Sequence, residues 1–152
     1  MITIEIKDNC EYSNLSHNFT APFCILFERF YFPDQEWFDF PAEILGMWTE
    51  ELLNLLRPNS PVRTVTLYLL DGNYYLKCSK INEQFLITAF NDDRQVYEAN
   101  ITVIDFLQQV QSACEQVVLM IGRHHYEVNN YNKFLMKIKK LKTLIQKMIQ
   151  PL

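Results

Sequence analysis

The hydrophobic period of this chain changes along its length, and those changes limit the folds open to it. Ile2, Ile4 and Ile6 alternate with Thr3, Glu5 and Lys7, the period of two that a half-buried strand requires. The aromatic run from Ala21 to Phe32 reads as one long or bent strand and ends at Pro33-Asp34. Beyond Phe40-Pro41 the period becomes helical: Ile44, Leu45, Trp48, Leu52, Leu55 and Leu56 form one apolar stripe. Pro41 suits a first helical turn, and Asp39 lies near the cap, where a carboxylate can accept free N–H groups. Arg57-Pro58 and Pro61 stop the helix. Alternation then returns through a meander over residues 62–100, with a hairpin at Asp71-Gly72 and a turn at Asn91-Asp92-Asp93.

After Asn100 the helical period takes over. Thr102 with Asp105 three residues on is an N-cap pattern. Val103, Phe106, Leu107, Val110, Cys114, Val117, Val118 and Ile121 share a face, and Gly122 is placed to end that helix. A last helix from about Asn130 places Tyr131, Phe134, Leu135, Ile138, Leu141, Ile145 and Met148 inward and its lysines outward. Strands first and helices last predict an α+β fold: an antiparallel meander sheet covered on one face by helices, with two antiparallel C-terminal helices. A length of 152 residues, with no repeat or linker, predicts one domain over residues 1–152.

The chemistry-bearing residues are sparse. Cys10, Cys24, Cys78 and Cys114 form no close pair, so they read as reduced, mostly buried thiols rather than metal or redox ligands. His124 and His125 are adjacent, and neighbouring helical side chains point apart, so an exposed turn is expected there. Asp92-Asp93 and Asp71-Gly72-Asn73 follow turn chemistry and lack the spacing of a calcium loop. Only 3 glycines occur, and no phosphate-cradling or nucleophile-elbow motif is present. These patterns predict no catalytic residues, no metal and no cofactor. The absence of an apolar leader or a run of roughly 20 apolar residues predicts a cytoplasmic protein without membrane contact.

Charge is divided unevenly. Residues 1–110 carry 7 basic and 16 acidic residues, a balance of −9, whereas residues 111–152 carry 7 basic and 2 acidic, a balance of +5. The basic last helix has no accompanying recognition motif, so it reads as a solvated face and no nucleic-acid partner is expected. The segment FYFPDQEWFDFPAEILGMW crowds aromatics and Asp34, Glu36, Asp39 and Glu43 around two prolines. Rigid aromatics beside fixed charges suit a binding surface. In the same segment Trp37, Phe38 and Phe40 are expected to close one end of the core, with the acids exposed.

The succession FERFYFPDQEWFDFPAEILGMW, LYLLDGNYYLKC and VIDFLQQVQSACEQVVLMI, spanning roughly residues 25–121, resembles small immunity proteins of bacterial polymorphic-toxin systems, including contact-dependent growth inhibition. The aromatic-Pro-Asp-x-x-Trp-x-Asp-Phe-Pro entry to a helix, in a segment that ends at Trp48, is its most specific part, supported by the DG(x)YY hairpin. The resemblance implies a cytoplasmic antidote that binds a cognate toxin domain, commonly a nuclease, and blocks its active site or substrate path. Such a protein would be a monomer or weak homodimer. Asp34, Glu36, Asp39, Asp71, Asp92 and Asp93 are the expected contacts, with Trp37 and Tyr75 as anchors. Two other classes remain open: an adaptor or chaperone-like module using the same surface, and an enzyme with a pocket lined by Tyr68, Tyr75 and Glu28 or Asp105.

Overall fold

The computed structural model describes residues 1–150. Its elements are β1 (Ile2–Ile6), β2 (Glu11–Ser13), β3 (Asn18–Phe27), β4 (Phe30–Phe32), β5 (Phe38–Asp39), α1 (Pro41–Leu56), β6 (Thr64–Tyr68), β7 (Tyr74–Ile81), β8 (Gln84–Asn91), β9 (Arg94–Thr102), α2 (Val103–His124) and α3 (Tyr131–Ile149). The class is α+β, all strand pairs are antiparallel, and the two C-terminal helices pack against each other.

The strands divide between two sheets. In the first, β3 is the strand on which β1, β2, β4 and β5 all pair. Its residues Ala21–Ile25 are buried in succession, which is the signature of a strand covered on both faces. The aromatic run is not one strand: it folds back at Glu28-Arg29, with Glu28 at φ 54°, so that Phe30–Phe32 returns along Ile25–Phe27. The second sheet is the meander β6-β7-β8-β9. Helix α1 stands between the two groups in sequence, so each group finds its partners among its own neighbours.

The meander behaves as a one-sided sheet. Val65, Leu67, Leu76, Cys78, Phe85, Ile87 and Ala89 point into the core, and the alternate residues face outward. Helix α2 covers the inner face, with the Phe106 ring edge-on to Phe85 at 5.9 Å. Helix α1 joins the sheets through Trp48, whose ring meets Phe23 of β3 at 5.8 Å and whose indole N–H donates to the Tyr68 carbonyl at 2.8 Å. Aromatics complete the seam, with Phe27 and Phe30 against Tyr97 of β9 and Phe32 against Tyr74 of β7.

Several helix boundaries have local causes. Thr102 caps α2 by accepting the Asp105 N–H at 3.1 Å, as its sequence position predicts. That helix passes Gly122 and ends at His125, in the left-handed region at φ 55°. There the His125 and Tyr126 N–H groups donate to Gly122 and Ile121 carbonyls, closing the turn as a C-terminal cap does. Asp39 does not cap α1, because Phe40 occupies the N-cap and makes no side-chain bond to the helix. In α3 only Phe134, Leu141 and Ile145 are buried; Leu135 and Met148, expected inside, lie exposed. That helix covers α1 and α2 with a narrow stripe and contacts neither sheet extensively.

Trp48 and Thr102 separate core from cap energetically. Trp48→Ala removes a buried ring and an indole donor and should cost about 3–5 kcal/mol. Thr102→Ala should cost about 1 kcal/mol. Urea unfolding of both variants, compared at constant m-value, measures the two.

Candidate functional site

The register of the meander places two of its connections at one end. Tyr68 pairs with Tyr75, Tyr75 with Phe90, and Phe90 with Gln95, so the Leu69–Asn73 loop and the Asp92-Asp93 turn lie side by side. The Asp92 N–H donates to the Asn73 carbonyl at 2.9 Å and ties them. Gly72 takes φ 85°, which supplies the reversal that a branched residue resists. Asp92 adopts φ 54°, a left-handed position that Asp tolerates better than most residues.

The segment before α1 docks against the same end. Asp34 forms a local turn, its carboxylate accepting the Glu36 N–H at 2.8 Å and its carbonyl accepting the Trp37 N–H at 3.4 Å. Trp37 then lies edge-on to Tyr74 at 5.0 Å, with its ring close over Gly72. A Cβ at Gly72 would meet the Tyr74 ring at 3.2 Å, so both its conformation and its surroundings favour glycine.

Asp39 holds the docked segment. Expected as an exposed acid and partner contact, it is 0% exposed instead. One oxygen accepts the Trp37 indole N–H at 2.9 Å and the Asp71 backbone N–H at 3.2 Å; the other accepts the Phe40 N–H at 2.9 Å. Three donors offset the desolvation of a buried carboxylate, which is costly when unpaired. Asp39 therefore positions the surface and cannot touch a partner directly. The aromatics around it differ from the expected core-closing role: Trp37 and Phe40 are half-buried and Phe38 is exposed.

The structure thus joins Trp37, Asp39 and Asp71 in one contact group and Tyr75 and Asp92 in a second, tied through the loop at 69–73, with Asp34 and Glu36 on the turn that presents Trp37 and Asp93 beside Asp92. Asp34, Glu36, Asp71, Asp92 and Asp93 are exposed. The Tyr75 hydroxyl donates to the Asp92 carbonyl at 2.7 Å, and its ring stacks on Phe90 at 5.1 Å. Tyr68, Phe90 and Lys77 extend this surface across the outer face of the sheet, Lys77 standing over the Phe90 ring at 5.2 Å. Tyr68, 56% exposed, is its most open aromatic. Once strand register is assigned, alternation alone places Tyr68, Tyr75 and Phe90 in one row; without the register, Phe90 cannot be matched to Tyr75.

The groups proposed for an enzymatic pocket do not converge. Asp105 follows Thr102, at the opposite end of the meander from Tyr75, and Glu28 sits in the β3–β4 turn bonded to the Met1 amino group. Burial pushes the Cys24 thiol up to about 11 and the Cys114 thiol up to about 12, so both stay protonated near neutrality. Among the described residues no helix is long and apolar enough to cross a membrane.

No family model matches this chain, and no curated protein or solved structure proves similar to it. The surface must be judged by its own chemistry.

Asp39→Ala strands the Trp37, Phe40 and Asp71 donors and should lower stability by more than about 2 kcal/mol, since each buried unsatisfied group costs about 1–3 kcal/mol. Asp71→Ala retains the backbone donor and should change stability by less than about 0.5 kcal/mol. Chemical denaturation of the pair distinguishes a buried latch from a solvated acid.

Proposed function

We propose that this chain is an immunity protein that binds and neutralises a protein toxin domain through its acidic, aromatic end. The observation that supports the reading is the meeting of three separate segments there. The turn at 34–37 packs Trp37 on Tyr74 and Gly72, and the loop at 69–73 and the turn at 92–93 set exposed carboxylates beside it and at the end of the Tyr68–Tyr75 row. Stacked rings on a paired sheet are already ordered before contact, so little side-chain entropy is lost on binding. Clustered carboxylates favour a basic partner surface, raise the association rate and penalise acidic competitors. The substrate cleft of a nuclease is a surface of that kind, because it must accept a polyanion. Neutralisation follows from occupying that cleft and needs no chemistry from this chain.

The test is rescue. Inducing the C-terminal region encoded immediately upstream should arrest a sensitive host, and co-expression of this chain should restore growth with a stable complex. Charge reversal of Glu36, Asp71 and Asp93 together, exposed acids whose side chains hold no backbone group, should weaken the complex by at least about tenfold at low salt, mainly through a slower association rate, with unchanged unfolding. Arrest without rescue, or an affinity indifferent to the three reversals, would contradict the proposal. Weak capture of many unrelated chains would instead make the protein an adaptor.

A further inference from the structure

A second cluster lies away from this surface, where the chain between β1 and β2 meets the end of α2. Asp8, Cys10 and His124 each offer one ligand atom there, and these atoms lie within 4.8 Å of one another. The geometry points to a divalent transition-metal site, suited to Zn²⁺, formed by Asp8 Oδ1, Cys10 Sγ and His124 Nε2. This site is independent of the proposed partner surface.

The carboxylate is divided between two tasks. Its Oδ2 receives the Arg123 guanidinium, while Oδ1 faces both His124 Nε2, at 2.6 Å, and the Cys10 thiol, at 3.4 Å. Arg123 can therefore keep its bond to Oδ2 and orient the carboxylate from the outer shell while Oδ1 meets an ion. Bonds of about 2.0 Å to oxygen and nitrogen and 2.3 Å to sulfur place the ligand atoms of a tetrahedral zinc ion roughly 3.3–3.5 Å apart. The sulfur–oxygen separation already has that value. His124 Nε2, at 2.6 Å from Oδ1, must withdraw by less than about 1 Å to reach that spacing, and all three ligand atoms already lie within 4.8 Å of one another.

Both sides of the cluster are held by the fold. The His124 ring stacks on Tyr126 at 4.9 Å, and Tyr126 stacks on Tyr12 at 4.5 Å, so one aromatic column spans the two segments. The Tyr12 hydroxyl donates to the Glu127 carbonyl at 2.6 Å, and the Asn129 N–H donates to the His17 carbonyl at 2.9 Å. The ligands thus sit on tethered backbone rather than on free loop tips. A thiolate, an imidazole and one carboxylate favour zinc or cobalt over magnesium or calcium, which prefer all-oxygen shells. On binding, the Cys10 S–H bond breaks, its proton passes to solvent, and the sulfur lone pair bonds the ion without oxidation or reduction. Three protein ligands leave a fourth position for water or a partner's side chain. The bound ion would clip the β1–β2 connection to the α2 terminus.

The test uses Co²⁺ as a visible stand-in for Zn²⁺. The full chain, reduced and stripped with chelator, is titrated with Co²⁺ and then with Zn²⁺. The expected result is a sulfur-to-cobalt charge-transfer absorption with four-coordinate visible bands, saturating at a single ion per chain and displaced by Zn²⁺. Cys10→Ser should abolish the charge-transfer band. Asp8→Asn and His124→Ala should each lower affinity by at least about tenfold, the scale on which even outer-shell changes act. His125→Ala should leave binding unchanged, and saturating Zn²⁺ should raise the Tm of the parent chain but not of Cys10→Ser. Absence of the sulfur band, its survival in Cys10→Ser, or equal loss in His125→Ala would overturn the site. Metal-free thermal unfolding of each variant verifies that it folds, and the three ligand variants report independently.

Discussion

The buried carboxylate of Asp39 is the contact on which the exposed end of the molecule depends. Its two oxygens take N–H groups from Trp37, Phe40 and Asp71, residues that belong to the segment before α1 and to the first hairpin loop of the meander. The same residue, in β5, pairs through its backbone with Ala21 of β3. One residue therefore links the first sheet, the entry to α1 and the second sheet. A charge with no exposure survives in such a place only when its hydrogen-bonding capacity is used, and donors converging from three directions leave little freedom in the backbone that carries them. The rigidity of the Trp37 turn and the Leu69–Asn73 loop follows from that convergence.

Trp48 has the corresponding role deeper in the fold. Its ring lies against Phe23 and its N–H reaches the Tyr68 carbonyl, so the outer end of β6 is anchored by a fully buried side chain. Tyr68 is thereby presented outward from a fixed backbone. Core and surface are coupled at this end: the residues facing solvent are held by partners that do not. A surface built this way keeps its shape when the acids that hold no backbone group change, as at Glu36, Asp71 and Asp93.

Much of this arrangement is legible in sequence where local physics decides. The stripe from Val103 to Ile121, the cap at Thr102 and the hairpin at Asp71-Gly72 each depend on neighbours within a few positions, and each is present. Legibility fails where distant chain decides. Nothing near Asp39 signals that its oxygens receive a backbone N–H from residue 71, and an acid beside Pro41 reads more readily as a helix cap. The turn at Glu28-Arg29 is hidden because the aromatics on either side have the same strand character. Asp8, Cys10 and His124 share no motif, since more than 110 residues separate the histidine from the others. The exposure of Leu135 and Met148 has a similar cause: the width of the stripe that α3 buries is set by the helices it meets, not by its own periodicity.

The proposed seat for a protein partner is the end formed by the 34–37 turn, the 69–73 loop and the 92–93 turn. Amide hydrogen exchange of this chain, free and mixed with the C-terminal region encoded directly upstream, addresses it most directly. Slowed exchange confined to those three segments and the outward ends of β6, β7 and β8, with α3 unchanged, is the expected result. Protection centred on α3 or on the β1–β2 connection, or no protection anywhere, would contradict it.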